Sequence, residues 1–182
     1  MKKTPTLETE RLLLRTLKVS DAESIYLYFS EEEMLRYYGM EPFANIIEAE
    51  KFVKDFLDDY KLIYRWGIVE KGSYELIGTC GFHAISENHK RAEIGYEIAK
   101  PFWGKGYATE AVSRLVQYGF EEFQWNRIGA NVYPNNKGSQ RVLEKLGFTH
   151  EGRLRGYIQQ GKIAHDTNVF SILKDEFHQK KN

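Results

Sequence analysis

The sequence predicts a mixed α/β fold: one sheet of six to seven strands, mostly antiparallel, with helices on both faces. Three observations carry this. Residues 65–98 read as three strand-like runs separated by short polar turns, an antiparallel meander. Residues 106–123 then carry a helical apolar stripe. Ala108, Ala111, Val112, Leu115, Val116, Gly119, Phe120 and Phe123 stand at offsets 0, 3, 4, 7, 8, 11, 12 and 15. After it come a strand, a helix and two more strands, so β-α-β units are joined to the meander.

Each element has its own signal. Leu12 to Leu17 reads as a first strand. Ser20-Asp21-Ala22-Glu23 has capping-box spacing, so Ser20 is expected to cap a helix running to about Phe29. Asn45-Ile46-Ile47-Glu48 repeats the device. Ile46, Ala49, Val53, Phe56, Leu57 and Tyr60 then share one helical face. Arg65–Glu70 and Glu75–His83 flank a Lys-Gly-Ser-Tyr connection. Arg91–Ile98 is the third meander strand, with Glu93, Gly95 and Glu97 on one side and Ile94, Tyr96 and Ile98 on the other. Arg127–Tyr133 is a strand. Asn136 caps a helix ending at Leu146, and Gly147 stands where a left-handed glycine closes one. Strands at Thr149–Tyr157 and Ile163–Leu173 follow, and the lysine-rich tail after Phe177 is expected to fray.

The chain of 182 residues suits one domain, 1–182, with no linker, repeat or low-complexity tract. Lysine plus arginine is 26 and aspartate plus glutamate is 26, so the formal net charge is zero. A neutral chain argues against nucleic acid or a membrane surface as partner. The single cysteine, Cys80, rules out a disulfide framework within the chain and reads as core. The apolar run Leu12–Leu14 is too short for a signal peptide or a span. A cytoplasmic location is expected. Five histidines have no metal-ligand spacing, so no metal is expected.

The segment Pro101-Phe-Trp-Gly-Lys-Gly-Tyr-Ala-Thr-Glu-Ala111 is the strongest chemical signal. Backbone N–H groups opening a helix lack partners and, with the helix dipole, form an anion site. Glycine lets a phosphate oxygen approach without meeting a Cβ. Gly104-Lys105-Gly106-Tyr107-Ala108 is therefore placed to wrap a pyrophosphate, unless it is only a tight turn. A P-loop string is absent, and Thr109 stands where a dinucleotide fingerprint needs its third glycine. A Gly-x-Ser-x-Gly hydrolase elbow is absent too.

Trp103–Ala111 together with Asn131-Val-Tyr-Pro-Asn-Asn-Lys-Gly-Ser-Gln-Arg-Val-Leu-Glu-Lys-Leu-Gly-Phe148 resembles the GNAT superfamily of acetyl-CoA-dependent N-acetyltransferases. The RimJ/RimL-like branch, which acetylates ribosomal-protein N-termini, is the closest in pattern. Leu7-Glu-Thr-Glu-Arg-Leu12 and Ala92-Glu-Ile-Gly-Tyr-Glu-Ile98 add to the likeness in the same order. Pro101 departs from it, because the family usually has Gln or Arg there.

The resemblance implies acetyl-CoA as donor and an amine as acceptor. It implies a diphosphate on residues 104–109, from Gly104 to Thr109, next to Trp103. It also implies a splayed strand pair, Ile98 against Arg127–Tyr133, with the acyl arm between them. An N–H near Ile98 would face the thioester oxygen. Glu93 is the candidate base, acting directly or through water, with Glu97 as runner-up. Ser139 is the candidate proton donor to the leaving thiolate, with Tyr133 as fallback. Asn136 would contact the cofactor while capping its helix. Glu110 reads as a salt-bridge or capping residue. Arg36–Gly39 and the turn near Gln160 would border the acceptor. An α-amine, with a pKa of about 7.7–8 against about 10.4 for lysine, suits such weak base machinery. The acceptor alternatives are a polyamine, an antibiotic or another small amine. The non-enzyme rival is a silent CoA-binding module. A homodimer is consistent with the resemblance.

Overall fold

The computed structural model describes residues 4–58 and 64–179. In chain order the elements are β1 (Leu7–Glu8), β2 (Leu12–Thr16), α1 (Ala22–Phe29), α2 (Glu32–Leu35), α3 (Ile46–Asp58), β3 (Tyr64–Glu70), β4 (Leu76–Ser86) and β5 (Arg91–Ile98). Then follow α4 (Tyr107–Glu122), β6 (Arg127–Val132), α5 (Lys137–Leu146), β7 (Thr149–Gln160), β8 (Ile163–Leu173) and α6 (Lys174–Gln179). Among the described residues the strands form one eight-stranded sheet, ordered β1-β2-β3-β4-β5-β6-β8-β7. Every neighbouring pair is antiparallel except β5 and β6, which are parallel.

The expected mixed sheet with helices on both faces is present. Strand alternation sorts β2 between two cores. Leu12 and Leu14 join the core beneath α4, while Leu13 packs against the core under α1 and α3. In α4, Ala111, Val112, Leu115, Val116, Gly119 and Phe120 are all buried, as the stripe predicts. Gly119 lets this helix lie close to the sheet: a Cβ there would come within 2.9 Å of Ile128 Cδ1 and 3.0 Å of Phe82 Cζ.

Three local expectations change. The eighth strand is Leu7–Glu8, paired with Leu14 and Leu13 and too short to show a period. Ser20 does not cap α1. A 3₁₀ turn, Val19–Asp21, precedes that helix, and Asp21 is the organising residue. Its carboxylate accepts the Lys18 N–H at 2.7 Å and pairs with the Arg15 guanidinium at 2.7 and 2.8 Å. A charge-assisted pair to β2 outcompetes a neutral serine cap. Beyond β8 the chain enters α6, whose Glu176 accepts the Leu173 N–H at 2.9 Å. Phe177 packs its ring 5.5 Å from that of Phe120. Tyr60, expected on the α3 stripe, lies outside the described residues.

The Asn45 cap is present: its Oδ1 accepts N–H bonds from Ile47 at 3.0 Å and Glu48 at 3.3 Å. Asn136 Oδ1 likewise accepts the Ser139 N–H at 3.1 Å, and Gly147 closes α5 at φ 85°.

Candidate active site

The sheet opens at one place. β5 and β6 pair only through Arg91–Arg127, Ala92–Ile128 and Glu93–Gly129. Above Glu93, β5 has β4 alone as a neighbour. Ala99 N–H bonds to Ile77 O at 2.7 Å. By antiparallel alternation the N–H groups of Glu97 and Gly95 also face β4, so those of Tyr96 and Ile98 face the gap. The Ile98 carbonyl is taken by the Trp103 indole N–H.

A cleft of about 680 Å³ runs through this opening. On the α4–α5 side it is lined by Phe102–Gly104, Gly106–Thr109 and residues 135–139. On the α2 side it is lined by Glu33, Met34 and Arg36–Tyr38. Tyr96, Glu97 and Ile98 form its β5 wall.

The glycine turn has the geometry that its sequence requires. Gly104 has φ 76° and Gly106, the N-cap of α4, has φ 83°. Any other residue type is strained there. A Cβ on Gly104 would meet nothing within 4 Å, so the backbone is bare toward solvent. A 16-residue helix follows, adding its dipole to the unpaired N–H groups. This fits an anionic group such as the diphosphate of acetyl-CoA. Lys105 is not among the cleft-lining side chains; its Nζ lies 5.0 Å from the Phe102 ring centre. Ile98, Trp103, Gly104, Gly106, Tyr107, Ala108, Thr109, Asn136 and Ser139 all line the cleft.

Ser139 does more than start a helix. Its Oγ lies 2.7 Å from the Tyr96 hydroxyl, which also reaches the Ser139 carbonyl at 3.2 Å. Burial pushes the Tyr96 phenol above its ordinary pKa, so it stays protonated. Sequence reasoning missed Tyr96. The signal was a polar-tipped aromatic alternating with Ile94 and Ile98 on the apolar face.

The two candidate carboxylates differ. Glu97 is bound to the buried Arg65 guanidinium, and Thr79 donates its hydroxyl to the same carboxylate. Arg65 further donates to Thr79 Oγ1 at 2.6 Å and Tyr38 Oη at 2.8 Å. This network leaves Glu97 committed on both oxygens. Glu93 is not a cleft-lining residue. At roughly 3.3 Å per residue it lies about 10 Å down the strand from Tyr96. Its Oε2 accepts the Asn131 amide at 2.8 Å and sits 3.5 Å from His83 Nε2. The His83 contact, followed by the Asn131 bond, holds Glu93 below the usual carboxylate pKa despite partial burial. Glu93 is thus ionised at neutral pH.

Tyr133 is turned away from the cleft and donates to Gln160 Oε1 at 3.1 Å. Gln160 Nε2 in turn donates to Leu35 O at 3.1 Å and Met40 O at 3.0 Å. The segment around Arg36–Gly39 and the β7–β8 turn are therefore joined. Glu110 makes the expected salt bridge, with Arg11 at 2.6 Å. Among the described residues no three metal-ligating side chains cluster, and no helix is long and apolar enough to cross a membrane.

Glycine turn, opened strand pair and hydroxyl-bearing floor together make a cleft whose shape and donors suit a long, phosphate-bearing ligand. The comparisons with known proteins name the class. A family described as "Acetyltransferase (GNAT) domain" matches residues 11–149. The chain belongs to this family of acetyltransferases, which use acetyl-CoA as donor. It is 47% identical over 172 residues to "Uncharacterized N-acetyltransferase YoaA" of Bacillus subtilis (strain 168), covering 93% of this chain and 97% of that protein. It is 31% identical over 178 residues to "Putative ribosomal N-acetyltransferase YdaF" of the same organism, covering 94% and 96%. A crystal structure of an acetyltransferase (GNAT family) from Bacillus anthracis superimposes with a TM-score of 0.85 at 30% identity, covering 94% of this chain and 100% of that one.

Proposed function

We propose that this enzyme, as one domain spanning residues 1–182, transfers acetyl from acetyl-CoA directly to a protein N-terminal α-amine. The observation that carries the reading is the passage through the sheet where β5 leaves β6. It lets a thioester held on the α4–α5 side meet an amine entering from the α2 side. The likeness to the putative ribosomal N-acetyltransferase YdaF, and the joined Arg36–Gly39 and Gln160 segments that border the α2 side, support a protein acceptor.

Acetyl-CoA supplies the activated acyl group; the chain's residues hold it and handle protons. The turn from Gly104 to Thr109 holds the diphosphate with backbone N–H groups. Tyr96 and Ile98 N–H groups lie along the acyl arm, and one of them polarises the thioester oxygen. The N–C bond forms, the C–S bond breaks, the amine loses a proton and the sulfur gains one. Glu93 takes the amine proton through water, a relay that its place about 10 Å down β5 from Tyr96 favours over direct contact. The depressed pKa makes it a weak base. That is adequate for an α-amine, which is partly neutral near pH 7, and poor for lysine.

Ser139 donates a hydrogen bond to the leaving sulfur. When Tyr96 donates to the Ser139 oxygen, the serine proton is free to turn into the cleft. A thiol of pKa about 8.5 is a stronger acid than this phenol or a serine hydroxyl, so the pair stabilises the leaving thiolate as a polarised hydrogen-bond chain and keeps both its protons. The proton that ends on sulfur comes from solvent, matching the one that leaves the amine through Glu93 and water. The lone Cys80 is buried, in keeping with a cytoplasmic enzyme.

The test is a product screen. The protein is incubated with acetyl-CoA and a mixed pool of ribosomal proteins, polyamines and aminoglycosides, and the acetylated species are identified by mass spectrometry. Acetylated protein N-termini support the reading. Exclusive acetylation of small amines replaces the acceptor, and binding without any product favours a silent CoA module.

A further inference from the structure

We propose that Arg11 is a positioning residue for cofactor binding, a latch that holds the 104–106 turn in its diphosphate-receiving shape. This rests on the reading that the diphosphate sits on that turn.

Arg11 stands between β1 and β2, more than ninety positions away in sequence from the turn it touches. Its Nη1 donates to the Lys105 carbonyl at 3.0 Å, in the middle of the Gly-Lys-Gly turn. Its Nε and Nη2 bracket one carboxylate oxygen of Glu110 at 2.7 and 2.6 Å. Its guanidinium carbon lies 4.5 Å from the centre of the Tyr107 ring. The planar fork therefore touches the turn, the first helical residue and the first turn of α4 together.

The other Glu110 oxygen accepts the Arg11 backbone N–H at 2.8 Å and the Thr9 hydroxyl at 2.6 Å. The whole β1–β2 connection is thus fastened to the helix N-terminus. Arg11 does not line the cleft, so it acts from behind the turn.

Two physical consequences follow. First, two left-handed glycines separated by one residue make a turn with many accessible shapes, and each must be ordered before its N–H groups converge on one anion. The Arg11–Lys105 bond restricts that freedom before the ligand arrives, which lowers the ordering cost of binding. Second, Glu110 carries a negative charge close to the proposed diphosphate. Burial opposes its ionisation, but the Thr9 and Arg11 bonds hold its pKa below the ordinary value, so the charge is present at neutral pH. Arg11 neutralises it on the spot. Without the guanidinium, the carboxylate faces an incoming dianion.

The experiment compares two probes that share the acyl arm and differ in the diphosphate. CoA is titrated by calorimetry and pantetheine by protein-observed NMR, into wild type, Arg11→Ala and Arg11→Lys. Wild type is expected to bind CoA far more tightly than pantetheine. Arg11→Ala weakens CoA about tenfold to a hundredfold, the scale of a lost hydrogen bond between charged groups. It leaves pantetheine affinity within about twofold. Arg11→Lys recovers part of the CoA affinity, because it keeps the charge and loses the fork. Equal losses for both probes mark Arg11 as a general structural residue and overturn the latch. An unchanged CoA affinity overturns it too. If Arg11→Ala does not fold, Arg11→Lys decides alone by the same probe contrast. Wild type that prefers neither probe refutes the diphosphate reading itself, a result separate from any behaviour of the variants.

Discussion

Replacing Gly106 by alanine isolates the backbone geometry of the turn. At φ 83° and ψ 0° an L-residue is strained, at about 1–2 kcal/mol. The added Cβ would stand 3.5 Å from Arg11 Nη2, an ordinary contact, so no steric term is added. The strain falls on folding in full, and thermal unfolding is expected to drop by roughly 2–8 °C for a chain of this size. If the turn relaxes in the free variant, CoA must force it back, and the same strain reappears in binding as a five- to thirtyfold loss, about 1–2 kcal/mol. Gly104→Ala makes the same test at φ 76° with nothing within 4 Å. Gly72→Ala is the control, since its φ is outside the left-handed range and its surroundings are open. Calorimetric titration with CoA and a thermal melt measure the two effects. A melt that is not lowered, so that the turn has relaxed, together with CoA affinity unchanged in both variants would refute the cradle.

Three further outcomes follow from the site. Ser139→Ala and Tyr96→Phe each lower kcat by about tenfold to a hundredfold with CoA affinity nearly kept, and their combination costs little more than Ser139→Ala alone; additive losses in pre-steady-state acetyl transfer would separate the two hydroxyls. Glu93→Gln lowers kcat/KM across the pH range without moving the alkaline-rising limb near pH 8, which belongs to the amine. In folding the depressed Glu93 pKa adds stability above the unfolded carboxylate value, lost as pH falls through the lower folded one. The Gln variant should therefore melt with a flatter acid limb, and an unaltered limb counts against the Asn131 and His83 contacts. Arg65→Met leaves Glu97 buried without its partner and is expected to destabilise by about 3–5 kcal/mol in denaturant unfolding; a loss under about 1 kcal/mol would mean that the network is not what holds β3 to β5.

Short-range physics wrote much of this protein legibly into its residue order. The α4 stripe, the Asn45 and Asn136 caps, the left-handed glycines and the three-strand meander each depend on neighbours a few positions away, and each stands in the structure as its residues imply. The motifs also led to the family and the acetyl-CoA donor. Where a distant partner competed, local reading failed. Ser20 lost its cap to an Asp21 that Arg15 holds from the adjacent strand. The same limit applies within the site. Tyr96 meets Ser139 across 43 positions, Arg65 meets Glu97 across 32, and Arg11 meets Glu110 across 99. Periodicity puts such residues on a face but leaves open which strand lies opposite. That choice belongs to sheet register and to the point where β5 parts from β6, and register is set by packing both faces at once. Tertiary structure therefore decided that Glu97 is bound, that Glu93 stands back from the cleft and that a serine and a tyrosine share its floor.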